Sequence, residues 1–152
     1  DAELVRMASP LHDVGKVGIP DAILNKPTKL ADDEWKVMQL HTDKGFRILK
    51  DSRREIVNAG AIIARDHHEK WDGTGYPIGK KGEDIHVFGR IVALADVYDA
   101  LRHKRCYKEA WELERVVAEI NNQKGLHFDP KLVDVFNSIV EDLEAILVRF
   151  PD

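Results

Sequence analysis

Apolar positions along this chain recur at intervals of three and four residues almost everywhere, and sustained apolar–polar alternation is nearly absent. That period belongs to helices with one buried face, so the predicted class is all-α. In the segment Ala2 to His12, Leu4, Met7, Ala8 and Leu11 share a face, and Pro10 predicts a kink or last turn. The stretch GKVGIPDAILNKP, with Gly15, Gly18, Pro20 and Pro27, is predicted as a loop. Asp32 and Asp33 mark the next helix start, because short acidic side chains cap free N–H groups and favour the positive dipole end. This helix carries Trp35, Met38 and His41 near one face and is expected to bend at Gly45 before continuing to Leu49. From Arg53 to His68, the residues Ile56, Ala59, Gly60, Ile63 and His67 form one stripe, so His67 points with the apolar face. The glycines and proline of HHEKWDGTGYPIGKKG predict a structured loop. Three helices follow, at Phe88 to Leu101, about Trp111 to Gln123, and Pro130 to Val148. Between the last two, Gly125 suits a helix end and Pro130 a first turn.

Composition narrows the picture. A chain of 152 residues has room for one core of ordinary size. With 43% hydrophobic and 33% charged residues it is expected to fold as a soluble globule. No apolar run approaches the roughly 20 residues that span a bilayer. No basic-then-apolar leader is visible, and the single Cys106 has no internal disulfide partner. A reducing, cytoplasmic compartment is the expectation. The formal charge of -4, from 23 basic and 27 acidic residues, supplies no basic field for polymeric nucleic acid.

The candidate chemistry lies in His12 and Asp13, His41, His67 and His68, and Asp96 within the apolar Phe88–Leu101 helix. Imidazole with carboxylate suits Mn, Fe, Ni or Zn, and the lack of further thiolates argues against a zinc finger or iron–sulfur cluster. Neighbouring residues on a regular helix point about 100° apart, so His67 and His68 are expected to face different ions. Asp13, with two oxygens, suits a bridge between ions roughly 3.5–4 Å apart, as two-metal phosphate chemistry uses. Each residue also has a plainer reading. His41 alone reads as a core histidine, and Asp96 as a helix carboxylate paired with Arg90.

The strings HDVGKVGIPD, His41, HHEKWDGTGYP and RIVALADVYDAL, in this order, closely resemble the HD-GYP family, a subgroup of the HD metal-dependent phosphohydrolases. The resemblance runs from about Leu4 to near Val133. It implies a compact helical bundle of about five to seven helices. It also implies hydrolysis of cyclic di-GMP to linear pGpG, and on to GMP, by a metal-bridging hydroxide. Carried over, it makes His12, Asp13, His41, His67, His68 and Asp96 ligands of two or three divalent ions. Iron or manganese comes first, with nickel, zinc or magnesium also compatible. Lys16 is implied to contact the scissile phosphate, so that Asp13 and Lys16 form the catalytic pair. Gly75, Tyr76 and Pro77 of the GYP signature, with Arg105 and Lys108, are implied to contact substrate. Asp99, one turn from Asp96, is expected to support it.

Two departures qualify the resemblance. Cys106 stands where the family has Pro, and Arg102 with His103 replace a small polar pair, which predicts a looser, more basic rim. The family's domain also begins with a helix bearing a Glu and a His that would precede Asp1. The expectation is therefore a single domain, 1–152, truncated at its N-terminus and weakened in activity or dimeric through an uncovered apolar face. An upstream receiver or sensor domain is the expected context. The alternatives are a catalytically weak cyclic dinucleotide-binding or protein-interaction module, or a hydrolase of another nucleotide.

Overall fold

The computed structural model describes residues 1–103 and 110–149, so Arg105, Cys106 and Lys108 lie outside the described residues. Within them the chain forms α1 (Ala2–Ala8), α2 (Asp21–Leu24), α3 (Asp32–Gln39), α4 (His41–Leu49), α5 (Glu55–Asp66), α6 (Val87–Arg102), α7 (Leu113–Asn122) and α8 (Pro130–Arg149). Short 3-10 turns occupy Ser9–Leu11, Val14–Gly18 and Gly82–Asp84. No strand occurs among the described residues, and a lone bridge pairs Lys124 with Phe128. The all-α expectation therefore holds. Among these residues no helix is long and apolar enough to cross a membrane.

Helix α5 is the hub. Ala59 and Ile63 pack with Val5 and Ala8 of α1 and Val92 of α6, while Ala61 and Ala64 pack with Leu49 of α4 and the partly buried Leu11 and Val14. Met7, expected on the buried side of α1, is exposed, because Val5 and Ala8 are the positions that turn toward α5. A second cluster joins Tyr98 and Leu101 of α6 to Val116 and Ile120 of α7 and Val133 and Phe136 of α8. Helix α6 is apolar on most sides because it serves both clusters. On its flank lies an apolar groove of about 620 Å³, lined by residues such as Ile91, Leu94, Val135 and Ile139 together with His12, Asp96 and Asp99.

Local departures from the sequence expectation have identifiable causes. The GKVGIPDAILNKP stretch is not wholly loop. Its glycines and prolines exclude a long helix, yet the Val14–Gly18 turn and the single-turn α2 fit between them. The helical run through His41 divides at Leu40, whose N–H bonds tightly back to the Val37 carbonyl, and does not bend at Gly45. Gly45 instead lets two segments touch: a Cβ there would lie 3.0 Å from Ala64 Cβ and 3.3 Å from the Gly15 nitrogen.

Candidate metal centre

Five of the six candidate ligands sit where regular helix stops or starts, which frees their side chains from the helix surface, whereas Asp96 lies inside α6. His12 follows the 3-10 turn at Ser9–Leu11, Asp13 precedes the turn at Val14–Gly18, and His41 opens α4. His67 caps α5, and His68 has already left it. This explains a correction. The expectation that His67 and His68 face apart assumed unbroken helix, but the possible ligand atoms of His41, His67 and His68 all lie within 4.8 Å of one another. The two neighbours can serve one ion.

The backbone decides which ring nitrogen faces inward. Nδ1 of His12 donates to the Ser9 carbonyl at 2.8 Å, and Nδ1 of His41 donates to the Met38 carbonyl at 2.7 Å. Nδ1 of His67 donates to the Ile63 and Ala64 carbonyls at 3.0 and 3.1 Å. A carbonyl only accepts, so these nitrogens carry the proton. Nε2 of His41 and of His67 is left with a lone pair, whereas His12, whose Nε2 lies 3.3 Å from Asp13 Oδ2, has its pKa raised by its hydrogen bond with that carboxylate. His41 Nε2 and His67 Nε2 face each other at 3.5 Å, and lie 3.5 and 3.9 Å from Asp13 Oδ1. That carboxylate oxygen is buried and has no hydrogen-bond partner. Three acceptor atoms thus converge with no proton between them, an arrangement that is costly unless a cation lies among them. The spacing fits as well: two nitrogens each bonded at 2.1 Å and at a tetrahedral angle stand roughly 3.4 Å apart. The residues present fit a metal ion.

The electrostatics agree. Burial, then the nearby His12 and His41, pushes the His67 imidazole down to about 4, and burial, then His67 and His41, pushes His68 lower still. His41 is also lowered, chiefly by burial. Metal binding needs neutral imidazoles, and burial favours the neutral form of all three rings. Burial acts to raise the Asp13 carboxyl, but hydrogen bonds and charge from His12 and Lys16 outweigh it and hold it far below the usual range. The site therefore keeps the Asp13 carboxylate ionised beside His41, His67 and His68, whose neutral forms burial favours.

The remaining expected residues divide. Asp96 Oδ1 is 3.9 Å from His12 Nε2, which places it at the rim of the same centre. Its alternative partner is engaged elsewhere, since Arg90 pairs with the buried Asp129 at 2.6 Å. Lys16 Nζ bonds Asp13 Oδ2 at 2.5 Å, with two-fifths of its side chain open to solvent. Arg102 does not add charge to a ligand rim. It pairs with Glu144 of α8 and donates to the Trp111 carbonyl, so its charge is neutralised between helices. His103 pairs with Asp99 at 3.0 Å, which ties Asp99 to its own helix end.

The GYP signature is clamped to the ligand turn. The Tyr76 N–H donates to the His68 carbonyl, and a Cβ on Gly75 would meet the Lys70 nitrogen at 2.4 Å, so only glycine permits the approach. The Tyr76 ring then stacks on His68 at 4.9 Å. Sequence reading missed the group that holds this loop. Glu69, 2% exposed, accepts from the backbone N–H groups of Ile78, Gly79 and Lys80 at 2.9 to 3.2 Å. Beside it Lys80 pairs with the buried Asp66 at 2.7 Å. The signal was present in HHE followed by a glycine-rich stretch, since a buried carboxylate suits several loop N–H groups. Replacing Glu69 by Ala leaves those donors without a partner, and urea unfolding is expected to show a loss of about 3 kcal/mol. Glu69→Gln, which keeps one acceptor, is expected to lose less; an unchanged midpoint for Glu69→Ala would contradict this role.

Comparison with known proteins agrees with the geometry. Residues 1–132 match the HD domain family. Over its whole length the chain is 49% identical to a 3′3′-cGAMP-specific phosphodiesterase of Vibrio cholerae, and covers 29% of that protein. It is 45% identical, over 99% of its length, to a cyclic di-GMP phosphodiesterase response regulator of Xanthomonas campestris, and covers 40% of it. A cyclic di-GMP phosphodiesterase of Thermotoga maritima is 43% identical over 97% of the chain, which again spans 40% of the relative. The crystal structure of a cyclic GMP-AMP-specific phosphodiesterase from V. cholerae superposes with a TM-score of 0.64 at 24% identity, covering 90% of this chain and 37% of that one. That likeness shows a shared fold. The chain thus spans between a quarter and a half of the relatives it matches.

Proposed function

This chain belongs to the HD domain family, in its HD-GYP branch, and from that premise we propose that it is the hydrolytic module of a metal-dependent cyclic dinucleotide phosphodiesterase. The observation that carries the reading is the convergence of His41 Nε2, His67 Nε2 and the unpartnered Asp13 Oδ1 without a proton among them. His41, His67 and His68 would hold a divalent ion, and His12, Asp13 and Asp96, which lie beside them, would supply further ligands. Two or three ions, iron or manganese, suit this imidazole–carboxylate set. When bound, such ions polarise phosphoryl oxygens and make water acidic enough to attack near neutral pH.

The chain's own groups do the rest. Asp13 stays ionised and orients the ligands on either side of it. Lys16 leaves Asp13 for the scissile phosphate and neutralises charge that develops on its nonbridging oxygens, the kind of contribution worth a few kcal/mol. Gly75 and Pro77 keep the loop close to His68, and Tyr76 forms a wall of the substrate space; Arg105 and Lys108 grip the substrate's phosphates or guanine edges. Product is a linear dinucleotide, pGpG from cyclic di-GMP, or mononucleotide after a second cleavage. Residues 1–152 act as one domain of a longer cytoplasmic protein with an upstream receiver or sensor domain, and two copies pair.

Relatives named for cyclic di-GMP and for 3′3′-cGAMP stand at similar identity, so both are offered as substrate. The test incubates the chain, loaded anaerobically with Fe(II) or Mn(II), with each nucleotide and separates the products by chromatography. Linear dinucleotide or mononucleotide that disappears on chelation is the expected result. Tightly bound nucleotide recovered intact overturns the hydrolase reading in favour of a binding module.

A further inference from the structure

Helix α3 has an anomaly that the metal centre does not explain. It buries none of its residues, and its first turn is Asp32, Asp33 and Glu34, yet its next position carries an indole that is 46% exposed. A tryptophan that supports no core is a large apolar surface left in water, and a function that covers it removes the cost. Trp35 is also not isolated. It meets Tyr76 edge-on at 6.2 Å, and Tyr76 lies stacked on His68 of the ligand cluster. A ladder of three rings therefore leads from the metal ligands to solvent, with Trp35 as its outer rung.

We propose that Trp35 is the purine-stacking wall of the site, taking one base of the dinucleotide when the phosphate is held at the histidine cluster. The inference rests on the phosphodiesterase reading and extends it to a residue with no metal or phosphate role. A phosphate anchored beside His68 leaves its nucleoside to run outward along the same side of the site, where the ladder ends in an open aromatic surface. Aromatic stacking recognises any base through its π face and carries no hydrogen-bond code. Trp35 therefore favours purine nucleotides over base-free phosphates and treats guanine and adenine alike. Choice between cyclic di-GMP and 3′3′-cGAMP lies with other residues.

The test measures binding to the full chain in Mn(II) buffer, by calorimetry, of GMP, AMP and ribose 5-phosphate, which have no cyclic bond to cleave. Trp35→Ala is expected to weaken GMP and AMP by about tenfold each, within the range of base–aromatic stacking, and to leave ribose 5-phosphate unchanged. Trp35→Phe is expected to retain most of the affinity. Four results overturn the proposal: wild-type protein that binds GMP no tighter than ribose 5-phosphate, Trp35→Ala without effect on GMP, equal weakening of all three ligands, or a phenylalanine no better than alanine. The two readings fail separately. A chain that cleaves neither cyclic dinucleotide but shows the expected pattern loses the hydrolase reading and keeps the stacking wall.

Discussion

Replacing Asp13 by alanine is expected to remove metal from the protein and to lower cyclic dinucleotide turnover by on the order of 10³-fold or more, while the helices stay folded. The carboxylate faces four groups of the site: Oδ1 faces His41 and His67, and Oδ2 faces His12 and Lys16. It is held ionised beside His41, His67 and His68, whose neutral forms burial favours, so without it less of a divalent ion's charge is balanced at the cluster. Its removal costs the fold little, because the side chain is one-third exposed and is not part of the apolar clusters. Asp13→Asn separates charge from shape, since the amide fills the same space without the negative charge. Elemental analysis, turnover and far-UV circular dichroism on the three proteins check the point together. Asp13→Ala protein that retains its metal and its turnover would remove Asp13 from the centre.

Gly15→Ala is expected to be the most damaging single-methyl change, lowering stability by about 3 kcal/mol and loosening metal binding at once. A Cβ at this position would stand 1.9 Å from the His41 carbonyl oxygen and 2.4 Å from the Gly45 nitrogen. Both are backbone atoms of α4, so no side-chain rotation relieves the clash, and the Val14–Gly18 turn has to move away from α4. That movement separates Asp13 from His41, which face each other at 3.5 Å. Urea denaturation and metal affinity measured on the same variant are expected to fall together. Gly18→Ala is the control, because its Cβ would meet mainly the flexible end of Lys44. Equal stability of the Gly15 variant and wild type would show that the two segments are not held in contact.

The contrast between His67 and Trp35 shows what could be read early. The stripe Ile56, Ala59, Gly60, Ile63 and His67 follows from the helical period, and the structure buries Ala59, Gly60, Ile63 and His67 together. Period is a local property and survives folding unchanged. The exposure of Trp35 was not legible, because its spacing with Met38 and His41 suggests a common face while the division at Leu40 turns His41 inward and leaves the indole outside. Arg102 was misread for a related reason: its partner Glu144 lies on a helix that is distant in sequence and adjacent in space.

By itself the sequence determined the helical class, most helix positions and the residue types of the centre. Hydrophobic period, caps and ligand chemistry are carried by neighbouring residues and need no fold to express them. Only the tertiary structure decided that His67 and His68 converge, that Asp13 Oδ1 has no partner, and that Glu69 and Asp66 hold the GYP loop. These depend on where helices end and on which backbone segments touch. Both are settled by packing across α1, α4, α5 and α6, through contacts such as Gly15 against Gly45, and not by any single stretch of chain.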